Sequence, residues 1–218
     1  MYLSRMELHP RRRGARELLS SPGKMHGAVM DAFPRDLINE KRVLWRVDTL
    51  SDRSLLYIVS PDKPSFEHIQ EQAGWANEQS WAIRDYTPLL QGIMRGQTYA
   101  FRLTANPTHT VTLENGQKKR LAHVTVKQQT QWLVDRAESM GLVFPEAEDW
   151  QNQPALSVVG RDMAKFPRKG KTVTISKVTY EGLLEVRHAD ALRSVLTDGI
   201  GRAKAYGCGL LTLASVTG

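Results

Sequence analysis

With 218 residues, 41% of them apolar and 24% charged, the chain has the composition of an ordinary globular protein, enough for one large domain or two of about 100 residues. Thirty Lys and Arg against 23 Asp and Glu leave a net charge of +7, which points toward a polyanionic partner such as nucleic acid. A single cysteine excludes an intramolecular disulfide and a cysteine-clustered zinc site, and no run approaches the ~18 apolar residues of a membrane helix, so the expectation is a cytoplasmic protein with no membrane partner.

Residues 2–8 place Tyr2, Ser4, Met6 and Leu8 on one face and Leu3, Arg5 and Glu7 on the other, the period of a β-strand and not of a signal peptide. Pro10 stops this strand, and Arg11-Arg12-Arg13 with Arg16 begins a basic helical connection that ends near Ser20-Ser21. Ser21-Pro22 starts a new helix, serine as N-cap and proline at the first helical position. Met25, Ala28, Val29, Ala32 and Phe33 then share one side until Pro34 ends the pattern. Strands are expected at 43–47 and 55–59, a helix at 65–74 and a further strand at 81–86. Strand, helix, strand, strand, helix, strand is the ferredoxin-like order.

Thr87-Pro88 to Gly96 reads as a connection to a second unit. A strand over 98–105 closes at Asn106-Pro107, and a helix over 127–140 stops at Gly141. A basic segment over 157–171 precedes a strand at 172–180, a helix at 189–198 ends at Gly199, and Leu210 to Leu213 forms the last strand. This half is again βαββαβ-like. The fold class expected is therefore α+β with two tandem ferredoxin-like domains, at 1–90 and 97–218. The order of elements alone supports this duplication, since no sequence repeat accompanies it.

Chemistry concentrates in a few places. The stretch Gly199-Ile200-Gly201-Arg202-Ala203-Lys204-Ala205-Tyr206-Gly207-Cys208-Gly209 interleaves glycines with two cations before an apolar run. Glycine allows close backbone approach to a ligand, and cations are what a phosphate chain requires. A helix cap followed by a turn would give the same pattern. A dinucleotide fingerprint is excluded because Lys204 stands where its third glycine belongs, and Gly170-Lys171-Thr172 is no P-loop because Lys165 replaces the first glycine.

None of the six histidines forms an H-E-x-x-H pair, and no serine sits in a G-x-S-x-G elbow. His26 lies beside the Met25 and Val29 stripe, at the boundary between core and surface. An acid–base imidazole needs such a position, held by packing yet able to reach substrate, although a plain amphipathic surface histidine occupies it equally well. Arg161, Lys165, Arg168, Lys169, Lys171 and Lys177 stand against one acid, Asp162, in a basic hairpin or a solvated charged loop.

Several of these residues carry a resemblance. The glycine pattern at 199–211 resembles the glycine-rich loop of the RAMP superfamily of CRISPR-associated RNA-binding proteins. Met1-Tyr2-Leu3-Ser4, Met25-His26, Leu44-Trp45-Arg46, Phe101-Arg102-Leu103-Thr104-Ala105-Asn106-Pro107 and Tyr180-Glu181-Gly182 look like the CasE family, in order from residue 1 to 213. CasE proteins process CRISPR precursor RNA and stay with the product in the Cascade complex. The resemblance implies tandem ferredoxin-like domains, cleavage without metal or other cofactor, and a catalytic histidine at His26. It also implies CRISPR repeat RNA, the mature crRNA and other Cascade subunits as partners. The hairpin with Arg161, Lys165, Arg168, Lys169 and Lys171 is then expected at the base of the repeat's stem-loop, with Gly201, Arg202, Lys204, Gly207 and Gly209 as further RNA contacts.

The chain departs from the family at two positions. A tyrosine found in some members three residues before the histidine is Gly23 here, and a lysine found five residues after it is Asp31. Lys24 is the one cation left at that end of the helix. RNA supplies its own nucleophile, so a single imidazole could suffice: the 2′-oxygen attacks the adjacent phosphorus in line, leaving a 2′,3′-cyclic phosphate and a 5′-hydroxyl. Two other readings keep the fold without the catalysis, namely a non-catalytic RAMP-type RNA-binding subunit and a scaffold whose basic charge is incidental.

Overall fold

The computed structural model describes residues 1–34, 42–146, 154–168 and 170–216. The first sheet is built from β1 (Tyr2–Leu8), β2 (Leu44–Thr49), β3 (Ser54–Ser60) and β4 (Trp81–Asp85) in the order β2-β3-β1-β4, every neighbouring pair antiparallel. On its inner face Met6, Leu8, Leu56 and Ile58 are buried under three helices, α1 (Arg13–Ser20), α2 (Pro22–Met30) and α3 (Glu67–Ala73). The alternation noted in residues 2–8 is thus the pleat of a strand whose Ser4, Met6 and Leu8 face inward. A short helix, α4 (Thr87–Gly92), lies in the segment read as a plain connection.

The second sheet repeats the plan. Its strands β5 (Thr98–Ala105), β8 (Leu142–Val143), β9 (Leu156–Arg168), β10 (Lys171–Val186) and β11 (Leu211–Ser215) take the order β11-β5-β10-β8, with β9 also paired to β10. Two helices, α5 (Val126–Val134) and α6 (Ala189–Asp198), complete the βαββαβ order. A hairpin of β6 (Thr108–Thr112) and β7 (Lys118–Ala122), turning at Asn115-Gly116, is inserted between β5 and α5. Two ferredoxin-like arrangements follow one another in the chain, as the element order anticipated.

Two local expectations change. The helix expected over 127–140 ends at Val134. The Arg136 N–H bonds back to the Leu133 carbonyl, while its guanidinium takes the Trp132 carbonyl at 2.7 Å, so the chain tightens into turns before Gly141. The basic segment is a pair of strand arms and not a loop. β9 pairs with β10 from Lys171↔Arg168 to Gly182↔Leu156, with a shift of register between Thr179 and Tyr180. Only Val178 to Glu185 of β10 also pairs with β5, so the part of the hairpin before Val178 runs on beyond that pairing.

One apolar core crosses between the two units: Leu44 and Val59 of the first sheet meet Leu103, Tyr180, Leu196 and Leu210 of the second. A polar fastening accompanies it. Arg46, 2% exposed, gives Nε and Nη2 to the two carboxylate oxygens of Asp48 at 2.7 and 2.9 Å. Its Nη1 donates to the backbone carbonyls of Arg102 (2.8 Å) and Leu210 (3.1 Å), and Nη2 also donates to Thr212 Oγ1 (2.9 Å). A guanidinium suits this role because its fork of donors stays charged and planar while buried. Arg46→Met is expected to lower unfolding free energy by about 3 kcal/mol in chemical denaturation, because it takes from buried Asp48 its bidentate partner and leaves only Arg102 beside it, whereas Arg46→Met with Asp48→Leu should recover part of that loss.

Candidate active site

The α2 helix starts as its sequence directs: the Ser21 side chain accepts from the Lys24 N–H at 3.4 Å, with Pro22 at the first helical position. Met25, Ala28 and Val29 anchor it in the first core. From α3, His68 Nε2 reaches the Ala28 carbonyl at 2.9 Å and braces the same helix. His26 is left half-buried at the edge of this packing. Its Nδ1 is shut from solvent with no hydrogen-bond partner among the described residues.

What faces His26 comes from the far end of the chain. The Tyr206 ring stands edge-on to the imidazole, centroids 6.3 Å apart at 61°. Tyr206 in turn contacts Phe166 of β9 at 4.8 Å, and the Arg168 guanidinium lies 5.6 Å from its ring centre. Phe166, Ile175 and Cys208 form a small core of their own, with Ala164, Val173, Ala203 and Tyr206 against it. This cluster ties the long hairpin to the glycine-rich loop and lays both beside α2. An added Cβ at Gly23 would stand 3.7 Å from the Phe166 ring, an ordinary contact distance, so Gly23 lies directly against this cluster.

The surroundings set the charge state of the imidazole. Burial lowers the His26 pKa from its ordinary value, and repulsion from the Arg168 guanidinium lowers it further, so the ring is neutral at neutral pH and ready to accept a proton. The Cys208 thiol is pushed up to about 12, chiefly by burial, which makes it an inert filler among the glycines. Burial also lowers the Lys177 amine, which sits 5.7 Å from the Trp45 ring centre. Lys177, Trp45, Arg102 and Arg161 line a cleft of about 540 Å³ between the two units, closed on the α1–α2 side by Leu18 and Met25.

The other expected residues divide. Lys165, Arg168 and Lys171 are exposed on the hairpin, with Arg168 and Lys171 opposite one another in register. Lys169 lies outside the described residues. Arg161 donates to the Val124 carbonyl at the base of the hairpin. Lys24 is engaged in an ion pair with Glu17, and Lys204 Nζ donates to the Asp198 carbonyl at 2.7 Å, so both cations have partners within the chain. In the glycine loop, Gly207 has φ +78° and a Cβ there would stand 2.6 Å from the Trp45 ring. Gly209 is buried and bonds Ile200 and Thr104 through its backbone. These two glycines shape and seat the loop. Gly201 and Arg202 face a separate cavity on the other side. Among the described residues no group of three or more His, Cys, Asp or Glu is placed to hold a metal ion, and no helix is long and apolar enough to cross a membrane.

Tyr206 and Phe166 were not singled out from sequence. The apolar alternation at Ala164 and Phe166, answered by Val173 and Ile175, was a signal that the basic segment has a packed face.

Known proteins with the same pattern can now be set beside this geometry. A family model described as "CRISPR associated protein" matches residues 1–215. The chain belongs to that family. The CRISPR-associated endoribonuclease Cse3 of Thermus thermophilus is 29% identical over 223 residues, covering 98% of this chain and 100% of the relative. The Cascade subunit CasE of Escherichia coli is 33% identical over 114 residues, 52% of this chain and 56% of its own length. Thermus thermophilus Cse3 bound to an RNA representing a pre-cleavage complex superposes with a TM-score of 0.79 at 28% identity, covering 98% of both chains. The CasE resemblance read from the motifs, and the two ferredoxin-like domains it implies, therefore hold.

The small hairpin core makes a structural prediction. Phe166→Ala should speed amide hydrogen exchange in residues 161–177 and around Tyr206 while leaving exchange in the first sheet unchanged. Uniform acceleration in both sheets, or none, would contradict a locally anchored hairpin.

Proposed function

We propose that this protein is a CRISPR RNA endoribonuclease that cleaves repeat RNA at its stem-loop without a metal ion and then stays on the product as a subunit of a Cascade-type complex. The observation that carries the reading is His26: a half-buried, neutral imidazole from the first ferredoxin-like unit, faced by Tyr206 and overlooked by Arg168 from the second. Similarity across nearly the whole chain to an endoribonuclease, and to one caught with RNA before cleavage, supports it. The division of labour we adopt is 1–90 for the histidine and 97–218 for the basic hairpin and glycine loop, in a protein that works in the cytoplasm.

In this mechanism the exposed cations Lys165, Arg168 and Lys171 hold the phosphates at the base of the stem, reading A-form shape more than sequence. His26 takes the proton from the 2′-hydroxyl as its oxygen attacks the adjacent phosphorus in line. The P–O5′ bond breaks, giving a 2′,3′-cyclic phosphate and a 5′-hydroxyl once a proton reaches the leaving oxygen. Acid–base help of this kind is worth typically ~10²–10⁴-fold, and held attack geometry with cations near the phosphorane supplies the remainder. Tyr206 acts as a positioning residue that packs the ring edge-on.

Cleavage of repeat RNA is expected to continue undiminished in chelator, and strict dependence on Mg²⁺ would overturn the mechanism. His26→Ala should slow cleavage by about 10²–10⁴-fold while RNA affinity is retained. A 2′-deoxy nucleotide at the cut site should be bound and left intact by the native protein. Cleavage of that substrate, or normal cutting by His26→Ala, would refute the assignment. A non-catalytic RNA-binding subunit would bind the ordinary and deoxy RNAs alike and cut neither.

The lowered pKa gives a signed test. With His26 as base, kcat/KM rises with pH through the free enzyme's histidine pKa and levels off, so the midpoint should lie below the ordinary 6.5. Arg168→Ala removes one of the two causes that lower it and should move that midpoint upward. A midpoint at or above 6.5 in the native protein, or one unmoved by the substitution, contradicts the tuning by burial and Arg168, and a kcat/KM that falls with pH through this range contradicts the base role.

A further inference from the structure

A second site lies on the opposite side of the glycine loop from His26. A cavity of about 690 Å³ opens between the β6–β7 hairpin, α5 and the start of the loop. Arg120, Arg136 and Arg202 line it against one acid, Asp135, a balance of three positive charges to one negative with the imidazoles counted neutral. Asp135 is already held by Gln131 Nε2 at 2.7 Å. Among the described residues Arg120 and Arg202 form no ion pair, and both are exposed.

The cavity also carries flat surfaces. His109 and His123 stand ring against ring, centroids 4.6 Å apart at 38°, each with an Nδ1 that is buried and unpartnered among the described residues. Burial lowers the His123 pKa, and His109 and Arg136 lower it further against a smaller opposing pull from Asp135, which favours the neutral His123 ring. The Arg136 guanidinium lies 4.2 Å from the Trp132 ring centre, and both residues line the cavity. Asn106 and Thr108 add groups that both donate and accept, while Gln128 offers only its Nε2, because its Oε1 accepts from the Val124 and Thr125 N–H groups at the start of α5. Gly201 closes the wall: with φ +71° it sits so close that a Cβ would be 3.2 Å from Trp132.

We infer that this cavity binds single-stranded RNA flanking the stem-loop, phosphates on Arg120 and Arg202 and a splayed base on the His109–His123 face. An acidic protein segment would use the cations but leave the stacking faces and the base-reading amides without purpose. A concave pocket suits an unstacked strand and excludes a duplex, which the exposed hairpin suits better. Continuity supports the same occupant, because Gly201-Arg202 at one end of the loop line this cavity while Tyr206 near the other end faces His26. The inference rests on the RNA-processing reading above and extends it to the unpaired part of the substrate.

The test compares uncleavable 2′-deoxy repeat RNAs: the hairpin alone, and the hairpin with about eight added nucleotides on the 5′ or the 3′ side. In the native chain one extension should tighten binding by about tenfold or more, the worth of one stacked base. Arg120→Ala, an exposed change outside the glycine loop, should abolish most of that gain and leave affinity for the bare hairpin unchanged. The salt slope for the extended RNA should fall by roughly 0.7, for one lost phosphate contact. The inference is overturned if neither extension tightens binding, if the variant weakens hairpin and extended RNA equally, or if it keeps all RNA binding and loses partner subunits instead. Failure of the endoribonuclease reading is a different result: the native protein would leave the ordinary hairpin uncut and show no preference for it.

Discussion

The candidate site depends on how firmly the two sheets are held together, and the buried Arg46–Asp48 pair is the polar part of that hold. Arg46 belongs to β2, beside Trp45, yet it spends donors on carbonyls of β5 and of the residue before β11. Taking both charges out of water is expensive, and the arrangement is tolerable because bidentate geometry and further acceptors satisfy the guanidinium. Arg102, whose carbonyl is one of those acceptors, returns its own side chain toward Asp48 at 3.2 Å. The network therefore has a definite registry, which apolar burial alone would leave looser. With the sheets so registered, α2 of one unit and the β9–β10 hairpin of the other meet in one place.

That meeting place is made of small pieces. The imidazole is fenced by a third cluster, in which Phe166, Ile175 and Cys208 glue the hairpin to the glycine loop. Such a satellite core holds the hairpin in position without committing the whole fold. It also explains the tuning of His26, because the same cluster that buries the ring brings Arg168 near enough to oppose its protonation.

The glycine-rich loop serves two sides at once. Its later glycines seat it on Trp45 and on the backbone of its own beginning, which is packing within the protein. Its first residues look the other way, toward Trp132 and the paired histidines. The two readings left open by the glycine pattern, a cap with a turn and a ligand loop, are not exclusive: Gly199 ends α6, and Gly201 and Arg202 just after it line a cavity.

Local order was legible in the chain itself. Period-two and helical alternation, the Ser21-Pro22 start and the Gly199 stop are properties of neighbouring residues, so β1, α2 and α6 and the doubled βαββαβ plan could be read directly, as could the boundary position of His26. The motifs spread from Met1 to Leu213 were enough to identify the family. Pairing across the chain was not legible. Arg46 finds acceptors 56 and 164 residues away, and two of them are backbone carbonyls, which leave no mark on sequence. Tyr206 is an ordinary residue in a glycine run until the fold sets it against His26, and the pairing of Lys24 with Glu17 and of Lys204 with the Asp198 carbonyl is equally invisible in the chain. Sequence by itself determined most of the strands and helices, because that choice is made over a few residues, although α4 and the β6–β7 hairpin escaped it. Tertiary structure decided which cations remain free and what surrounds the imidazole, because charge pairing and desolvation depend on distance in space.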